Sequence, residues 1–383
     1  MHSFNQKFPP FSLVRLLKTV FAPVNGENIC VLIDLENPRE VKDFAFLKNS
    51  QLTIQRYAHD IFYQGFKKNG LQELGLKGGE FFAYRITGGS NLDMTDDAFD
   101  PSGRHMSLEK DIYPNYDIIL CISTFSATAP LTAFAKKYYF RGATLHGINQ
   151  IIIDSGLSVN YNDVSRDAEK LLLGMTRADY VEIDFKVSGR SYSLKVELDK
   201  QEAQKSHGLV RGKHPDVANL PAGEIYYVPQ GAEGHFPMKY EDGTIGDLEV
   251  KGGRVVGISL IFGRVATTEE HKKKIKEDPA TGELGELGFG TQVLPFSGSD
   301  IQDEKILGTF HLATGRSDHL GGHLTPDKFK KPKNATHDDI LFAPHKTSEI
   351  EVPQVRMFRN NQTKILIENY QPAGYLRSLL AST

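Results

Sequence analysis

The sequence predicts an α/β protein in two domains: an N-terminal α/β domain on a mainly parallel sheet, and a C-terminal mixed α+β domain. Three observations carry this. Apolar runs alternate with helix-like segments through the first half, the pattern of an α/β layer. The texture then changes to short strands and glycine-rich turns. The length, 383 residues, exceeds the size at which a single core usually stops growing.

In chain order, Ser12–Phe21 is a short amphipathic helix. Ile29–Leu35, Phe81–Ile86, Ile118–Ser123 and Arg141–His146 are strands, and their near-continuous apolar character suits a parallel sheet covered on both faces. Val41–Leu47, Ile61–Lys68 and Leu131–Tyr139 read as helices between them. A long helix follows at Val164–Met175, with Asp163 as N-cap and Gly174 near its end. Tyr180–Val187 and Tyr192–Leu198 alternate around Ser188-Gly189-Arg190, which predicts a hairpin. Short strands continue at Tyr226–Pro229, Leu248–Val250 and Val255–Phe262, and Thr267–Lys276 is a helix. The boundary falls near residue 178, giving domains 1–178 and 179–383.

Composition excludes several classes. A formal net charge of −3 supplies no electrostatic reason for nucleic acid or an anionic membrane as partner. Two cysteines, Cys30 and Cys121, are too few for a disulfide scaffold or zinc ribbon, and both lie in strand-like apolar runs as core thiols. No apolar run approaches the length that crosses a bilayer. Met1–Pro23 has no continuous apolar stretch followed by a cleavage site, so a cytoplasmic protein is expected. Neither a Gly-x-Ser-x-Gly elbow nor a Walker or Gly-x-Gly-x-x-Gly loop is present, which disfavours a serine nucleophile and a nucleotide cofactor.

The chemistry concentrates in the second half. His337-Asp338-Asp339 places an imidazole and a carboxylate two residues apart, on one side of an extended segment. His311 centres a short β-prone run bracketed by Gly308 and Gly315, where the alternative is a hydrogen-bonded core histidine. Glu224 opens a run of Ile, Tyr and Val, and Glu286 lies among glycines and apolar residues. A carboxylate there needs a cation or hydrogen bonds, and a buried salt bridge is the plain alternative. Two imidazoles and three carboxylates suit zinc, cobalt, manganese or iron(II), and exceed one tetrahedral site. A bridging carboxylate would hold two ions about 3.5–4 Å apart.

At these residues the chain resembles the thermophilic-aminopeptidase family of metallopeptidases, the aminopeptidase T and aminopeptidase S group. The matching blocks are Asn219-Leu-Pro-Ala-Gly-Glu224, Gly285-Glu-Leu-Gly-Phe-Gly-Thr291, Asp303 to Gly315 and His337-Asp-Asp339, within about residues 180–342. The resemblance implies a catalytic, dinuclear C-terminal domain with Glu224, Glu286, His311, His337 and Asp339 as ligands and Glu286 bridging. It implies removal of N-terminal residues from a peptide by a metal-activated water, and assembly as a homodimer. A tyrosine that the family carries about seven residues after its first ligand histidine is replaced here by Arg316-Ser317-Asp318-His319. That leaves His319, His323 or Arg316, beside Glu286, as catalytic candidates, with His235 at the rim. The family's fold also resembles an iron(II) ring-cleaving dioxygenase that acts on a dihydroxypyridine. His311, His337 and Asp339 alone would meet its two-histidine-one-carboxylate requirement, whereas Glu224 and Glu286 favour the hydrolase. A non-catalytic relative binding a peptide or small molecule is the third reading.

Overall fold

The computed structural model describes residues 7–382; Met1–Gln6, part of the predicted N-terminal segment, lie outside them. The chain forms two compact units. The first comprises residues 1–165, 207–222 and 294–302, and the second residues 166–206, 223–293 and 303–383. The division therefore falls inside the helix Tyr161–Met175 rather than after it, and two later segments return to the first unit.

The first unit is built on a seven-stranded sheet. Asp216–Asn219, Arg141–His146, Ile118–Ser123, Asn28–Leu35 and Lys77–Arg85 run parallel, and Asp97–Phe99 and His105–Ser107 add an antiparallel edge. The apolar runs are continuous because both faces are covered. Val31 and Ile33 enter one core with Leu16, Phe21 and Phe62, while Cys30 and Leu32 enter the other with Phe82 and Leu131. Both cysteines are buried and free.

The opening helix spans Leu13–Phe21, with Ser12 accepting the Arg15 N–H at 3.2 Å. The expected helix Val41–Leu47 is instead a broken pair of 3-10 turns within Pro38–Lys48, because Asp43 and Phe44 take positive φ of 49° and 52°. Asp43 N–H is bonded to the Pro101 carbonyl at 2.9 Å, a distant partner that overrides local helix formation. Asp163 lies in the first turn of its helix rather than at the cap.

The second unit holds an eight-stranded and a five-stranded sheet. The predicted hairpin forms as Tyr180–Val187 and Arg190–Glu197, with positive φ at Ser188 and Gly189. The two sheets share one core: Phe185 from the larger meets Phe310 and Phe342 from the smaller, ring centroids 6.2 and 5.0 Å apart. Among the described residues no helix is long and apolar enough to cross a membrane. The architecture is mixed α/β, with a largely parallel sheet in the first unit and antiparallel sheets in the second.

Candidate metal centre

The five-stranded sheet runs in the order His337–Phe342, Phe310–Gly315, Leu284–Gly290, Glu224–Tyr227 and Gln204–Ser206, all antiparallel. Side chains on a strand alternate between faces. One face carries Ile225, Tyr227, Leu287, Phe289, Phe310, Leu312, Ile340 and Phe342 into the shared core. The other carries Glu224, Glu286, His311, His337 and Asp339. In register, Glu286 lies opposite Ala313 and Ala313 opposite Asp339, so a methyl group separates the two acids. Gly288 lies opposite His311. A Cβ at Gly288 would stand 2.2 Å from the ring Cε1, so the missing side chain is the space the imidazole occupies. All five predicted ligands belong to the second unit.

The structure brings them together. His337 Nε2 lies 2.9 Å from Glu286 Oε2 and 3.2 Å from Asp339 Oδ1, which places residues 337 and 339 on one side as the spacing requires. His311 Nε2 lies 3.4 Å from Glu286 Oε1 and 3.9 Å from Glu224 Oε2. Glu286 thus stands between the imidazoles, one oxygen toward each. Among the described residues, three overlapping groups have donor atoms within 4.8 Å of one another: Glu224, Glu286 and His311; Glu286, His337 and Asp339; and Glu304, His311 and Asp339. Each contains one imidazole. Glu224, Glu286, His311 and His337 are buried, while the Asp339 side chain is 34 % exposed and opens the centre to solvent.

Two features show that a cation fits. The His337 Nδ1 lies 2.6 Å from the Arg316 carbonyl oxygen, which only accepts, so Nδ1 carries the proton. In a neutral ring the lone pair on Nε2 then faces two carboxylates, an arrangement that a proton or a metal ion relieves. Glu224 Oε2 is buried and has no hydrogen-bond partner. An orphaned carboxylate oxygen is costly to bury, and here it points toward His311.

The charges respond accordingly. Burial works against the protonated His311 ring, but the hydrogen bond and charge of Glu286 prevail and lift its pKa to about 10. His337 is likewise raised, burial being outweighed by Asp339 and Glu286. Burial raises the Glu286 carboxyl, yet the two imidazoles hold it well below the usual carboxylate range.

Two site residues have no counterpart in the sequence-based set. Glu304 and Lys305 are buried, and the Lys305 ammonium lies 2.7 Å from Glu224 Oε1 and 2.6 Å from Glu304 Oε1. Burial pushes the Glu304 carboxyl up to about 8, against the pull of Lys305. In sequence Glu304 and Lys305 lie in the matching block Asp303 to Gly315, but only His311 stands out there as a ligand; the cue to the other two is their membership of that block.

Of the three side chains offered in place of the tyrosine, His319 is the one packed against a ligand ring, edge-on to His337 at 5.0 Å. The Arg316 guanidinium is engaged by Asp318 at 2.7 Å, and Arg316 serves the centre through its carbonyl. His323 is 78 % exposed and paired with Glu283 at 2.8 Å, away from the ligands. His235 lies in the eight-stranded sheet beside Asp247, at 3.1 Å, and joins none of the donor groups.

No protein-family model matches the chain, and no curated protein matches it. Among solved structures it is similar to the 2,5-dihydroxypyridine dioxygenase of Pseudomonas putida KT2440, with a TM-score of 0.57 and 15 % identity over 94 % of this chain and 95 % of that one. At that identity the likeness establishes a shared architecture along nearly the whole chain.

Proposed function

We propose that this protein is a metal-dependent enzyme whose centre is held by Glu224, Glu286, His311, His337 and Asp339, with two divalent cations bridged by Glu286. The observation that carries this reading is the position of Glu286, one oxygen toward each imidazole, at 3.4 and 2.9 Å. The reaction this donor arrangement fits best is hydrolysis, with an N-terminal peptide bond as the expected substrate. Bound cations of this kind lower the pKa of a coordinated water and polarise a carbonyl. The chain's own groups do the rest. The Arg316 carbonyl fixes the His337 ring in the tautomer that presents Nε2. His319, whose pKa burial lowers against the pull of Asp318, packs its imidazole edge-on against the ligand ring. The partial exposure of Asp339 marks the side from which substrate approaches.

A second reading, oxygen-dependent ring cleavage at one ferrous ion, is favoured by a different observation: the fold is that of a dihydroxypyridine dioxygenase over 94 % of the chain. The comparison supports this reading rather than hydrolysis. It does not decide the reaction, because one fold hosts many chemistries. Against it stand the two buried glutamates and the separation of the imidazoles into different donor groups.

Metal analysis of anaerobically purified protein separates the two. Two zinc, cobalt or manganese ions per chain, with release of N-terminal residues from peptides, are expected. One ferrous ion per chain with oxygen uptake on 2,5-dihydroxypyridine would overturn the hydrolytic reading.

A further inference from the structure

We propose that Lys305 is a positioning residue of the metal centre: by holding one oxygen of Glu224 it restricts that carboxylate to a single donor atom. The inference rests on the reading of this face as a cation site, and concerns how the site is tuned.

Lys305 is 1 % exposed, and its ammonium lies between Oε1 of Glu224 and Oε1 of Glu304. The backbone that carries it is anchored on both sides: the Gln292 N–H donates to the Lys305 carbonyl at 2.8 Å, and the Leu307 N–H to the Gln292 carbonyl at 2.7 Å. Glu224 is fixed from its own side, since a Cβ at the preceding Gly223 would lie 2.4 Å from Gln292 Cγ. Both ends of the contact are therefore held by the chain around Gln292. The consequence is asymmetry within one carboxylate. Oε1 is taken by the ammonium, whereas Oε2 is buried, without a hydrogen bond, and faces His311 Nε2 at 3.9 Å. Were the pair only a structural salt bridge, no buried oxygen would need to be left facing the imidazole. With Oε1 withheld, Glu224 would offer a bound cation only Oε2.

Charge and position make distinct predictions. Removing a nearby positive charge tightens cation binding without changing coordination; freeing Glu224 to bind through both oxygens changes coordination. The test titrates metal-free protein with cobalt(II), following visible absorption, whose intensity falls as coordination number rises, together with calorimetric stoichiometry. In Lys305→Met we expect the wild-type number of ions and a visible band weaker by a measurable fraction of its wild-type intensity, as Glu224 engages through both oxygens. The double variant Lys305→Met/Glu304→Gln, compared with Glu304→Gln alone because Glu304 belongs to a donor group, carries the same test if the single variant does not fold. A variant spectrum and affinity equal to wild type, or tighter binding with an unchanged spectrum, overturns the positioning role and leaves the metal centre standing. Absence of cobalt binding by the wild type overturns the centre itself, and this inference with it.

Discussion

Replacing Gly288 by alanine should expel His311 from the metal centre. Gly288 does not occupy the left-handed region of backbone space, so alanine meets no conformational barrier there. The obstacle is the imidazole. A Cβ would lie 2.2 Å from Cε1, 2.5 Å from Nε2 and 2.9 Å from Nδ1 of His311. Carbon atoms rest about 3.5–4.0 Å apart, so the ring must retreat by at least about 1.3 Å. His311 is fully packed, and overfilling of this kind costs about 1–3 kcal/mol. The smaller entropy of the unfolded alanine chain returns about 0.4–1 kcal/mol. Stability therefore falls modestly, but the contacts to Glu286 and Glu224, now 3.4 and 3.9 Å, cannot be kept. Cation affinity should fall by at least the ~10- to 100-fold that accompanies a disoriented ligand. Calorimetric titration of metal-free protein with zinc measures this. Gly231→Ala is the control, since its Cβ meets nothing nearer than 3.8 Å. A Gly288→Ala protein that binds the same number of ions with wild-type affinity would show that His311 is no ligand.

Two further predictions concern the same face. Glu286→Gln keeps the shape but removes the charge shared between the imidazoles, and should reduce two bound ions to one; elemental analysis finding two in the variant contradicts the bridging role. Without cations, His311 and His337 bind protons more tightly in the folded chain than in the unfolded one. Their contribution to stability is complete below their ordinary pKa of 6.5 and is lost as pH rises, for His311 through about 10. Glu286 is shifted the other way, so its contribution is present above its ordinary 4.5 and fades on acidification below it. The metal-free Tm should peak between these values and decline toward alkaline pH, and saturating zinc should abolish the alkaline decline. A metal-free Tm that stays flat from about pH 6.5 to 9 would mean that the imidazoles do not face these carboxylates.

Much of the first unit was legible because its strands are buried on both faces, which leaves unbroken apolar runs such as Ile29–Leu35 and Ile118–Ser123. What was not legible depended on distant partners. Nothing within Val41–Leu47 announces the break at Asp43, whose N–H is held by Pro101. Nor does residue 178 mark where the units divide. Asp216–Asn219 belongs to the first unit because it pairs with Arg141–His146, a register that no local pattern encodes. The hairpin Gln354–Arg359 and Gln362–Glu368 does carry a local signal: Asn360 and Asn361 both adopt positive φ, as a two-residue turn demands. In the site, His337-x-Asp339 was readable from strand periodicity alone, whereas Glu304 and Lys305 became visible only once folding had buried them.

The same periodicity shows what is unusual about this face. A strand with one face in the core normally sends its polar alternates to solvent. Here Glu286, His311 and His337 alternate with Leu287, Leu312 and Ile340 as they should, yet they are buried too. Three carboxylates, Glu224, Glu286 and Asp339, converge there with the Glu304 carboxyl, which burial pushes toward its neutral form, and one buried ammonium, Lys305. Protonated imidazoles supply part of the missing charge in the metal-free chain, at the cost of the alkaline instability described above. Divalent cations would supply it at every pH at which the imidazoles are neutral, and would use the lone pairs that protons otherwise occupy. The departure from ordinary alternation is thus a cost that cation binding would offset, which is the physical reason to look for function on this face of the sheet rather than on its apolar one.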